Sequence, residues 1–185
     1  MAYNKIALIG IGNIMFHDEG LGDYLVKYIE NNYNIPDNLT LVEGGTLDFS
    51  LISNYRDFDQ LIVVGASSQE GETGTIYAQS GKEMEMAQYA VDLTAKEFDI
   101  SFIDEEVDKI RHISMIPENI IEVRNALTES VLRHMPKLLE VTLKELKHFG
   151  ITLNRTFCRK RSFEKIIDDC ANNGKLKQLV FAGVN

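Results

Sequence analysis

The stretch from Gly10 to Gly22, GIGNIMFHDEGLG, follows an apolar run and combines two features that rarely serve one purpose. Gly10 and Gly12 have the spacing of a phosphate-binding turn, whereas Asp18 and Glu19 put two carboxylates where an anion site would have none. A dinucleotide fingerprint asks for a third glycine, and Met15 stands there instead. Glu43, near the end of the next apolar run, could serve as a ribose-binding acid, but the acidic pair would repel the pyrophosphate. A purely structural reading makes the glycines a tight turn and places Asp18 at a helix start, where the helix dipole favours negative charge. It leaves Asn13 and the EGGT segment, Glu43 to Thr46, unexplained. A third reading makes Glu19 a cation ligand or a general acid–base, with Asp18 as a weaker second ligand and further ligands coming from neighbouring strand ends.

These residues need a scaffold, and the hydrophobic pattern supplies one. Lys5–Gly12 is β-branched and almost wholly apolar, as a strand buried on both faces should be. Gly20–Asn34 has helical spacing, with Leu21, Tyr24, Leu25 and Tyr28 or Ile29 on one face and Asp23, Lys27 and Glu30 largely opposite. Leu39–Gly45 is the second strand, Leu47–Phe58 a short helix and Asp59–Ser67 the third strand. Gly74–Gln79 and Lys109–Pro117 supply a fourth and a fifth. A long helix runs from Thr128 to a stop at Gly150, with Pro136 placed to kink or divide it. Strands alternating with helices predict an α/β fold, three-layer α/β/α with a central twisted, mostly parallel sheet. Sites in such sheets gather at the strand carboxyl ends, here Gly12–Gly20, Glu43–Thr46 and Gly65–Ser68.

The 185 residues suffice for one core of good size, and no apolar run is long enough to span a bilayer. The first residues lack the order of a signal peptide, which points to the cytoplasm. A net charge of −9 disfavours nucleic acid as a partner. From Ile151 onward, seven Lys and Arg stand against three Asp and Glu. The charge shift marks a boundary near Gly150 and separates residues 1–150 from a basic extension, 151–185. In that extension a helix is expected from about Ser162 to Ala171, then an added strand or docking arm over Lys175–Gly183. Cys158 and Cys170 form no CxxC pair and are expected to be free thiols.

GIGNIMFHDEGLG, then VEGGT (Val42–Thr46), DQLIVVGA (Asp59–Ala66), GETGTIY (Gly71–Tyr77) and MIPEN (Met115–Asn119) occur in the order seen in one family. Over roughly Lys5 to Gly150 the chain resembles the nickel–iron hydrogenase maturation endopeptidases. The resemblance implies removal of a C-terminal peptide from the precursor of a nickel–iron hydrogenase large subunit after nickel insertion. It implies no intrinsic cofactor, because the nickel sensed belongs to the substrate. It implies metal contact and catalysis at Glu19, and contact near the substrate's C-terminal peptide at Gly44, Gly45 and Thr46. A monomer that engages neither nucleic acid nor membrane is expected.

Two of the three metal-contacting side chains that the resemblance implies are missing. The family's aspartate at the end of the third strand falls on Gly65, and its mid-chain histidine falls near Thr94. No histidine lies between His17 and His112. One carboxylate cannot give nickel a selective geometry, so either substitutes converge from elsewhere or nickel sensing has been lost. His17, Asp18, His112, His134, His148, Glu70 and Glu72 are the candidate substitutes, each with an ordinary structural or surface role as its alternative. Ser67 and Ser68 have no visible histidine partner, which argues against a serine nucleophile. The expectation is a diverged maturation factor. An active enzyme with relocated ligands and a nucleotide-binding module are the alternatives.

Overall fold

The computed structural model describes residues 5–45, 57–83, 107–156 and 160–182. Chain order is β1 (Ile6–Ile11), a single 3-10 turn (His17–Gly20), α1 (Leu21–Asn32), β2 (Tyr33–Asn34), β3 (Leu39–Gly45), β4 (Gln60–Ala66), β5 (Ile76–Ser80), β6 (Ile110–Met115), α2 (Glu129–His148), β7 (Asn154–Arg155) and α3 (Phe163–Ala182). Five strands form one sheet in the order β3-β1-β4-β6-β5. The first four run parallel and β5 lies antiparallel on the edge. The fold is therefore α/β with a mixed, mostly parallel sheet flanked by helices.

Side chains alternate across the pleat. Ile6, Leu8, Ile62, Val64, Ile113 and Met115 point to one face and pack with α1, α2 and the start of α3. Ala7, Ile9, Leu61, Val63 and Ile110 point to the other and are equally buried, so both faces are covered. Continuous burial explains why β1 and β4 read as unbroken apolar runs rather than alternating ones. The order β3-β1-β4 sets the carboxyl ends of three strands next to one another: Ile11 lies opposite Gly45, and Gly10 opposite Val64.

α2 runs through Pro136 as one helix of 20 residues. Pro136 sits on its exposed side, where the carbonyl that loses its amide partner can turn to water. Thr128 caps the helix by accepting from the Val131 amide, and Gly150 ends it with φ +88°. Beyond Gly150 the chain stays in the same core. Ile151, Phe163 and Ile167 belong to the α1–α2 cluster, β7 pairs with β2, and Phe163 stacks on Tyr28 of α1 with ring centroids 4.0 Å apart. The expected strand or arm over Lys175–Gly183 is instead the continuation of α3 as far as Ala182. Gly174 weakens a helix by about 1 kcal/mol without forbidding one. The short helix expected over Leu47–Phe58 and the neighbourhood of Thr94 lie outside the described residues, Asp57 and Phe58 excepted.

Candidate functional site

Glycine is required where the first turn meets α1. A Cβ on Gly10 would stand 2.4 Å from the Gly22 carbonyl oxygen, and one on Gly22 would stand 2.2 Å from that of Val64. The helix therefore crosses the sheet backbone to backbone, and this close crossing accounts for the glycine spacing without a phosphate. Gly12 has φ +131°, and a Cβ there would meet the Glu19 carbonyl oxygen at 1.7 Å. The chain must fold back over Gly12 to bring Glu19 to the strand end.

Asp18 and Glu19 have divergent environments. Asp18 has no solvent exposure. Its Oδ2 accepts from the Glu118 amide (3.0 Å), the Asn119 amide (2.9 Å) and the Thr128 hydroxyl (2.9 Å), and its Oδ1 from the Thr128 amide (2.7 Å). Its oxygens thus hold the loop after β6 and the N-terminus of α2 against the β1–α1 turn. That is a fastening, a different job from the secondary ligand expected of it. Glu19 is half-buried on the same turn. His17 is buried with φ +50°; its Nε2 lies 3.5 Å from Glu122 Oε2, while Nδ1 has no hydrogen-bond partner among the described residues.

The second strand ends beside this turn. The β1–β3 ladder skips a residue there, pairing Gly10 with Glu43 and Ile11 with Gly45. Gly44 is pressed against β1, since its Cβ would stand 2.5 Å from the Gly10 carbonyl oxygen. Gly45 takes φ +55°, and its carbonyl accepts from the Gly12 amide at 2.8 Å. Its own amide donates to Asp23 Oδ1 at 3.3 Å. Asp23, expected on the polar face of α1, is in fact buried against the end of β3. Burial pushes its carboxyl up to about 6, with Glu43 adding to the rise and the Gly45 amide and Lys27 opposing it. Lys27 pairs with Glu43 alongside. The glycine pair and the acidic residue before it were legible in the sequence, and Asp23 was missed. Its sequence signal was an acid one turn after Glu19 and four residues before Lys27, a spacing equally ordinary for a surface helix. Thr46 lies outside the described residues.

The third strand end is filled. A Cβ on Gly65 would stand 2.6 Å from Ile11 Cγ1, and a Cβ on Gly44 3.3 Å from Ile11 Cγ2. Ile11 thus covers both glycines with hydrocarbon at the position where the resemblance implies a carboxylate. Glu70 and Glu72 are exposed. Ser67 is buried, with its hydroxyl accepting from the Gln69 amide at 3.2 Å. His112 is buried in β6, and desolvation pushes its imidazole down to about 4, so it is neutral at physiological pH. His134 is half-buried rather than solvated: its Nδ1 lies 2.8 Å from the Ser130 carbonyl and its ring packs over Gly74. His148 is exposed. Among the described residues no group of three His, Cys, Asp or Glu side chains could hold a metal ion. The described donor set therefore does not fit a three-ligand nickel contact. Cys170 is a half-buried free thiol pushed up by burial, and Cys158 lies outside the described residues.

No helix among the described residues is long and apolar enough to cross a membrane. The geometry matches known proteins. A sequence model described as hydrogenase maturation protease matches residues 24–145. Hydrogenase 2 maturation protease of Escherichia coli is 27% identical over 154 residues, covering 80% of this chain and 93% of that protein. The hydrogenase expression/formation protein HupD of Bradyrhizobium diazoefficiens is 25% identical over 171 residues, 89% of each. The solved hydrogenase-maturating endopeptidase HybD of E. coli superposes with a TM-score of 0.68 at 24% identity, over 82% of this chain and 97% of that one. The HycI protease of Thermococcus kodakarensis superposes at 0.64 with 19% identity, over 79% and 94%. With the family's sequence model matching most of the chain and the same fold in place, the chain belongs to the hydrogenase maturation protease family.

Proposed function

We propose that this protein engages the C-terminal region of a nickel–iron hydrogenase large-subunit precursor in the cytoplasm, and that it does so as a diverged member without proteolytic turnover. The contact face is the turn carrying Glu19 together with Gly44, Gly45 and Thr46, and Glu19 supplies its carboxylate. The observation that carries the reading is Ile11: it occupies the space beside Gly65 where a second metal-contacting side chain would stand. Nickel here is substrate, and a lone carboxylate holds it weakly, so nickel or cadmium titrated onto the protein alone gives no tight stoichiometric site. Support for a protein partner comes from the surface around Glu19. The exposed large apolar side chains of the described residues, Met15, Ile120, Ile121 and Val123, lie on two loops. The Arg124 amide joins those loops by donating to the Met15 carbonyl at 2.8 Å.

A second reading, an active endopeptidase with relocated ligands, is favoured by one observation. The buried His17 lies two residues before Glu19, and its Nδ1 has no partner among the described residues. One experiment separates the two. The protein is mixed with a nickel-loaded precursor, and both binding and the mass of the large subunit are measured. Binding without shortening is the expected result. Shortening that disappears in Glu19→Gln and in His17→Gln would establish the active enzyme instead.

A further inference from the structure

The end of β3 can meet a substrate in one fixed geometry only if the turn at Gly45 is held in place. The sheet does not hold it fully. The ladder skips a residue between Gly10 and Ile11, and the Gly45 amide finds its acceptor on a helix, at Asp23 Oδ1, 3.3 Å away. Gly45 is thus gripped from two sides, its carbonyl by the Gly12 amide at 2.8 Å and its amide by Asp23. Among the described residues nothing lies within 4 Å of the point where a Gly45 Cβ would stand. Gly12 is the residue over which the Glu19 carbonyl folds. One short chain of contacts therefore links Glu19's turn, Gly12, Gly45 and Asp23.

We propose that Asp23 is a positioning residue: by holding the Gly45 amide it fixes the left-handed turn through which β3 presents its end to the bound precursor. This rests on the function proposed above and assigns Asp23 a part in it. The surroundings fit that part. A buried carboxylate is costly where an apolar residue would pack, and α1 needs none there for its own stability. Among the described residues, Lys27 and Tyr24 on α1, Glu43 on β3 and Cys170 on α3 are the charged and titratable groups facing Asp23. Lys27 is the cation among them, and its pairing with Glu43 keeps it beside the end of β3. With the carboxyl raised to about 6, the charged acceptor is present at pH 7 and lost in mild acid.

Three proteins test this: wild type, Asp23→Asn, which keeps an acceptor but not the charge, and Asp23→Ala, which keeps neither. The Gly45 amide resonance is followed by NMR from pH 5 to pH 8, and affinity for the nickel-loaded large-subunit precursor is measured across the same range. In wild type the Gly45 amide shift is expected to titrate with a midpoint near 6, and affinity to fall on the acid side of it. Asp23→Asn should flatten both profiles. Asp23→Ala should speed exchange of that amide and weaken precursor binding, each by about tenfold, the worth of one charge-assisted hydrogen bond. A pH-independent Gly45 amide in wild type would overturn the proposal. So would a pH profile of binding in Asp23→Asn that matches wild type, a comparison that stands even if Asp23→Ala fails to fold. Wild type that does not bind the precursor at any pH would remove the proposed function itself, whatever the amide does.

Discussion

The turn after β1 and the end of β4 adjoin one another on the sheet and are built in opposite ways. At the first, a carboxylate with no solvent exposure gathers amides and a hydroxyl from residues a hundred positions away. It spends no oxygen on a ligand. It fixes the loop that carries Glu19, whose side chain is left half-buried at the surface. At the second, Gly65 has no side chain and the space beside it is filled by Ile11. One region is held by a polar framework and the other is packed with hydrocarbon. Removing Asp18 would strand several buried donors at once, so this framework tolerates change poorly.

Asp18→Ala gives the largest test of this contrast. It leaves the Glu118, Asn119 and Thr128 amides without their acceptor, and the expected loss is about 3–5 kcal/mol in urea unfolding. A loss below about 1 kcal/mol would mean that the fastening matters little. Next comes Gly65→Asp, which forces a Cβ to 2.6 Å from Ile11 Cγ1. It should destabilise by about 3 kcal/mol through overpacking. Ile11→Ala combined with Gly65→Asp should recover part of that loss, a non-additivity that a double-mutant cycle reads directly. Recovery of a nickel-dependent signal in the double variant would sharpen the comparison further, since it would restore a carboxylate beside Glu19's turn.

The smallest effect concerns pH. His112 accepts a proton near 6.5 when unfolded but only at about 4 when native. The unfolded chain therefore binds more protons in that window, and the contribution of His112 to stability is complete above 6.5 and is lost as pH falls toward 4. The decline is on the order of 2 kcal/mol and should be absent in His112→Gln. Asp23 slopes the other way. Its carboxyl is raised from 3.8 to about 6, so its contribution is complete below 3.8 and is lost as pH rises through 6. Stability curves of the two variants, Asp23→Asn and His112→Gln, should therefore diverge from wild type in opposite directions between pH 4 and pH 6.

β1, α1, β3, β4, β6 and α2 were legible because burial on one or both faces writes a period into the chain. The boundaries of β3 came out of the sequence as Leu39–Gly45. The glycine turn after β1 was legible for the same local reason, since it is a matter of residue identity at the end of a strand. The end of α3 was misread because β-branched and aromatic residues in KLKQLVFAG suit a strand by propensity, and propensity is worth too little to override a helix already under way.

By itself, then, the sequence determined the sheet and the run of helices. It could not decide what the carboxylates do. Asp18 and Glu19 are adjacent along the chain and chemically alike, and only the approach of residues 118–128 buries one and leaves the other at the surface. Asp23 reads as solvent-facing on a helical wheel, yet a skipped residue in a distant ladder turns an amide toward it. Hydrophobic period is a local property of the chain. Which polar atom meets which is fixed by contacts far apart in sequence, and only tertiary packing brings those together.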